Sequence, residues 1–93
     1  MNTEIYKLSD VIKQEFTGDI SKHETDHIAL TRWNNTFTEL ESANKVSDVS
    51  YAADNLFQWG ARYIRDDNRY NYFRSIYHQL FDEIQKLNNT DHG

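Results

Sequence analysis

Two histidines four residues apart, with a glutamate beside the first, make the sharpest chemical string in this chain: His23-Glu24-Thr25-Asp26-His27. On one helix face such a pair can hold a zinc ion, and the adjacent carboxylate can take a proton from a metal-bound water. A third ligand would have to come from a distance, with His78, or Asp82 one turn after it, as candidates. A second set interleaves cations with rings: Arg62, Tyr63, Arg65, Arg69, Tyr70, Tyr72, Phe73, Arg74 and Tyr77. Guanidinium groups among aromatic faces suit bases, phosphates or carboxylates, which makes Arg65, Arg69 and Arg74 the ligand-binding candidates. A third set is acidic and lies upstream: Glu4, Asp10, Glu15, Asp19, Glu24, Asp26, Glu39, Glu41, Asp48 and Asp54.

The histidine string resembles the zinc-metallopeptidase signature, which implies His23 and His27 as ligands and Glu24 as base. Thr25 and the charged Asp26 stand where that family carries apolar residues. Ser21 and Glu24 also fit a capping box, which turns the glutamate toward the start of a helix. The string therefore reads as a solvated helix start, with no catalytic residue, metal or cofactor, and metal binding at His23 and His27 is the alternative. The arginine–tyrosine set has its own competing account. Asp66 and Asp67 lie in its middle, and Tyr70, Phe73 and Tyr77 belong to an apolar stripe. A nucleic-acid or phosphate-ligand module is thus the second alternative. Three glycines leave little for a phosphate loop.

The acidic set carries the preferred reading. The net charge is −5, and residues 1–58 hold all of the excess, with ten acidic and five basic groups. That balance argues against nucleic acid and anionic membrane and permits a protein partner with a basic surface. Carboxylates on one face can stand in for duplex phosphates in a lysine/arginine groove. A small, acidic, cysteine-free, aromatic-rich chain looks like the phage-encoded inhibitors of restriction or CRISPR nucleases. The resemblance implies a non-enzymatic inhibitor or DNA mimic that uses Asp10, Glu15, Asp19, Glu24, Asp26, Glu39, Glu41, Asp48 and Asp54. No apolar run is long enough to span a bilayer and the start has no apolar leader, so the expected location is cytoplasmic.

Ninety-three residues make a single small domain, 1–93. Tyr70, Phe73, Tyr77, Leu80, Ile84 and Leu87 alternate spacings of three and four, which predicts a C-terminal helix. Tyr72, Ile76 and Phe81 widen its stripe beyond what one neighbour covers and predict a homodimer contact. Val49, Ala53, Leu56, Gly60 and Tyr63 predict the helix before it, with Ser47 or Ser50 as N-cap. Gly60 marks either a close approach or a kink. Asp66-Asp67-Asn68 predicts the tight turn of an antiparallel hairpin. Upstream, Ser9 opens a short helix with a Leu8, Val11, Ile12, Phe16 face that stops at Gly18. A further helix from Ser21 carries Leu30, Trp33, Phe37 and Leu40, and residues 88–93 fray. The expected class is an all-α bundle of about four helices. The alternative is an α+β fold with a hairpin at 28–40, turned at Asn34-Asn35.

Overall fold

The structure is a computed structural model that describes residues 3–23 and 27–92; the side chains of His23, His27 and residues 90–92 also lie outside the description. The described residues form four helices and no strand: α1 (Thr3–His23), α2 (His27–Ser42), α3 (Val46–Tyr63) and α4 (Asp67–His92). The α+β alternative is therefore set aside. Asn34 and Asn35 are exposed helical residues, while Trp33, Phe37 and Leu40 of the same segment are buried.

Contacts along the helices fix their directions. The Tyr6 hydroxyl reaches the carbonyl of Glu41, and the Trp33 indole meets Thr17, so α1 and α2 run oppositely. Arg32 lies over the Trp59 ring, while Glu39 and Ser42 share a cleft with Asp48 and Tyr51, so α2 and α3 run oppositely. Phe73 meets Gly60, and Phe81 and Ile84 share a groove with Ser50 and Ala53, which completes an up-down-up-down bundle. α1 packs on both α2 and α4 and touches α3 across the diagonal.

The first half departs from expectation. α1 is one helix that runs through Ser9, Gly18 and Ser21. Ile5, Ser9, Ile12, Phe16 and Ile20 are all buried, at spacings of four, three, four and four. Burying a residue such as Ile or Phe contributes about 1.5–3 kcal/mol. A continuous stripe of them outweighs the roughly 1 kcal/mol that Gly18 costs in a helix. Ser9 is not a cap; its hydroxyl donates to the Tyr6 carbonyl at 3.0 Å inside the helix. Val11, placed on the apolar face by its spacing, is exposed. Ser21 is an exposed α1 residue rather than an N-cap; Glu24, its expected capping-box partner, lies outside the described residues.

The second half follows the pattern more closely. Val49, Ala53, Leu56 and Gly60 are buried on α3, whose N-cap position is Lys45, without a side-chain cap, rather than Ser47 or Ser50. Asp66 caps α4: its carboxylate accepts the Arg69 N–H at 2.9 Å and its carbonyl accepts the Tyr70 N–H at 2.8 Å. Phe73, Leu80 and Ile84 are buried, and α4 runs from Asp67 to His92. Phe73 sits at the centre, with the rings of Phe16 at 5.3 Å, Phe57 at 5.9 Å and Trp33 at 6.4 Å.

Candidate functional site

The acidic residues do not share one helix face. Glu15 and Asp19 turn toward α4 and are held there by Arg69. Its guanidinium donates to Asp19 Oδ2 at 2.8 Å, lies 3.7 Å from Glu15 Oε2, and also donates to the Glu15 carbonyl. It lies 4.8 Å from the Phe16 ring centroid. The hydrogen bond to Asp19, reinforced by the charges of Asp19 and Glu15, raises the Arg69 pKa above its ordinary value. Asp54 lines the α3–α4 groove and accepts from Gln58 at 2.9 Å. Glu24 and Asp26 lie outside the described residues.

What the fold does assemble is a charged end. Because helix direction alternates, the N-terminal halves of α1 and α3 share an end with the C-terminal halves of α2 and α4. Among the described residues this end carries Glu4, Asp10, Glu39, Glu41, Asp48, Asp54, Asp82 and Glu83 against Lys7, Lys45 and Lys86, with Lys13 at the midpoint of α1. Two of those carboxylates pair locally, Glu4 with Lys7 at 3.6 Å and Glu83 with Lys86 at 3.0 Å. Asp10, Glu39, Glu41, Asp48 and Asp82 have no ion-pair partner among the described residues. The opposite end holds Lys22, Arg32, Arg62, Arg65, Arg69 and Arg74 against Glu15, Asp19, Asp66 and Asp67.

The three candidate arginines separate. Arg69 is committed to the α1–α4 contact, and Arg65 is exposed in the α3–α4 connection. Arg74 lines an open groove of about 450 Å³ with Phe57, Tyr70, Tyr77, His78 and Phe81. Burial, and then the nearby charge of Asp54, raise the Tyr77 pKa. The three residues expected at a dimer contact separate as well. Ile76 is 5% exposed and belongs to the core. Tyr72 and Phe81 are each 43% exposed, but nine residues apart they point about half a circle from each other on α4. Tyr72 packs on Phe16 of α1, whereas Phe81 packs on Tyr77 and borders α3. A single contact with a second copy cannot take all three.

His23 closes α1 and His27 opens α2; the string between them and both side chains lie outside the described residues. Among the described residues, no three His, Asp or Glu side chains gather where a metal ion would sit.

One surface was not anticipated. α2 and α3 together present Arg32, Asn35, Glu39, Asp48, Tyr51, Asn55, Trp59 and Arg62 around two adjoining clefts and their margin. Arg32 and Arg62 lie 5.8 Å and 5.9 Å from the Trp59 ring centroid, and Tyr51 is 69% exposed. The signal that could have found it is the outward stripe of α3, which apolar periodicity passes over. Compared with known proteins, the chain matches no family model, no curated protein and no solved structure. Among the described residues, no helix is long and apolar enough to cross a membrane.

Proposed function

We propose that this chain is a non-enzymatic interaction protein whose acidic end occupies the basic surface of a nucleic-acid-acting partner and inhibits it. The observation that supports this reading is the gathering of Asp10, Glu41, Asp48 and Asp82, without ion-pair partners among the described residues, at one end of the bundle. Exposed carboxylates without internal partners attract lysine and arginine at long range and lose that attraction as salt rises. The useful residues are fewer than charge counting suggests, because Glu15 and Asp19 already hold Arg69. The test is a panel of restriction and RNA-guided nucleases assayed for DNA cleavage with and without this chain. Inhibition that weakens with salt and with Asp10→Asn/Glu41→Gln supports the reading. Cleavage unchanged across the panel, or inhibition indifferent to both acids, counts against it.

A second reading rests on the groove that joins Arg74 and His78 to four aromatic rings. An open aromatic groove with a guanidinium at its rim suits a base stacked on a ring with its phosphate outward. Retardation of a labelled single-stranded oligonucleotide, lost in Arg74→Gln, would favour this reading over the first.

A further inference from the structure

The outward stripe of α3 reads Asp48, Tyr51, Asn55, Trp59, Arg62, at spacings of three, four, four and three. It is symmetric about Asn55 in spacing and complementary about Asn55 in chemistry. Acid stands opposite base, ring opposite ring, and an amide sits at the centre. The adjoining edge of α2 repeats the pattern, with Arg32 and Glu39 on either side of Asn35 and Thr36. Packing brings the two centres level, since Asn35, Thr36 and Asn55 line the same cleft.

We infer that the α2–α3 face is a self-complementary surface that docks on a second copy of this chain. Its two-fold axis lies in the interface, across the helices at Asn55. A rotation about that axis reverses helix direction and lays α3 on α3 and α2 on α2. Asp48 then meets Arg62 of the second copy, Tyr51 meets its Trp59, Glu39 meets its Arg32, and Asn55 meets itself. An amide is both donor and acceptor, so two facing asparagines can satisfy each other. Asp48, Glu39, Arg32 and Arg62 make no ion pair within their own chain among the described residues, which leaves all four free to make one between copies. Tyrosine, tryptophan and arginine are also the side chains in which interface binding energy concentrates. The dimer uses Glu39 and Asp48, so it takes Asp48 from the proposed inhibitory surface and leaves Asp10, Glu41 and Asp82 exposed; sedimentation and the nuclease assay with Asp10→Asn/Glu41→Gln therefore read the two proposals separately.

Sedimentation equilibrium of the purified chain with no other partner tests the inference. The wild type is expected at twice 11.1 kDa. Asp48→Arg alone and Arg62→Asp alone each put like charges in register and are expected to weaken association by about tenfold or more. Both positions are exposed on α3, so circular dichroism of each variant should match the wild type. An equimolar mixture of the two single variants restores opposite charges at both contacts and is expected to form a heterodimer, as is the double variant with itself. A wild type that stays monomeric, single variants that dimerise like the wild type, or a mixture that fails to associate would each overturn the inference.

Discussion

Gly60→Ala sets two opposing effects against each other, and the structure decides between them. In a helix interior alanine is favoured over glycine by about 1 kcal/mol. A Cβ at Gly60, however, would lie 2.2 Å from Phe73 Cζ and under 3 Å from both Cε atoms. Carbon atoms pack at about 3.5–4.0 Å, so the ring would have to retreat by more than an ångström. It has nowhere to go: Phe73 is fully buried, with Phe16, Phe57 and Trp33 around it. Forcing extra volume into such a site costs about 1–3 kcal/mol, occasionally more, and here the whole overlap falls on one rigid ring. The upper part of that range, less the propensity gain, leaves a net loss of about 1–2 kcal/mol. Gly18→Ala is the internal control, because nothing lies within 4 Å of a Cβ there. It should gain close to the full 1 kcal/mol. Since 1 kcal/mol moves Tm by about 4–8 °C in a domain of this size, thermal melts should shift in opposite directions. A Gly60→Ala protein that melts at or above the wild type would refute the argument. A Gly60→Ala/Phe73→Leu double variant more stable than the sum of its single changes would localise the clash to that pair.

Other consequences can be checked on the same protein. Thr17→Val removes the acceptor of the Trp33 indole N–H, now 2.9 Å away, and should cost about 1–3 kcal/mol in urea unfolding. Arg69→Gln loses the Asp19 and Glu15 contacts; since the pair is partly solvated, the loss should be about 1 kcal/mol and should shrink in high salt. Tyr77 has its pKa raised in the folded state by burial and then by Asp54. Its contribution is therefore complete below the ordinary tyrosine pKa of about 10 and is lost as pH rises through the higher folded value. Tyr77→Phe should flatten the alkaline fall in Tm, and a fall as steep as the wild type's would reject this assignment.

The two C-terminal helices were legible because Phe73, Leu80 and Ile84, and likewise Val49 and Leu56, recur at four and seven residues and are bulky enough that only burial accounts for them. The boundaries of α1 were not. Ser9, Gly18 and Ser21 are local stop and start signals, yet Gly18 faces open space and Ser9 is held inside the helix, so a long apolar stripe overrides all three. Side-chain partnership was hidden for a different reason. Arg69 joins Glu15 and Asp19 across some fifty positions, a pairing that depends on α1 and α4 lying side by side. The same holds for charge. Along the chain the acidic excess belongs to the first half, whereas in space it collects at one end, because consecutive helices reverse. Ile76 shows the limit of periodicity: its spacing marks it as apolar stripe, but only the position of the neighbouring helices withdraws it into the core while leaving Tyr72 and Phe81 outside.

That alternation of helix direction underlies both the acidic end and the self-complementary face, and a single spin label tests it. The chain has no cysteine, so Lys45→Cys accepts a nitroxide at one site in the α2–α3 connection. The label-bearing chain is isotopically enriched and diluted into an excess of plain protein, so only broadening within one molecule is read. Amides of residues 4–10 and 82–89 should broaden, and those of Ile20 and residues 64–70 should stay sharp. Sharp signals at 82–89 would mean that α4 does not return alongside α3 toward Lys45, and the acidic end would not exist.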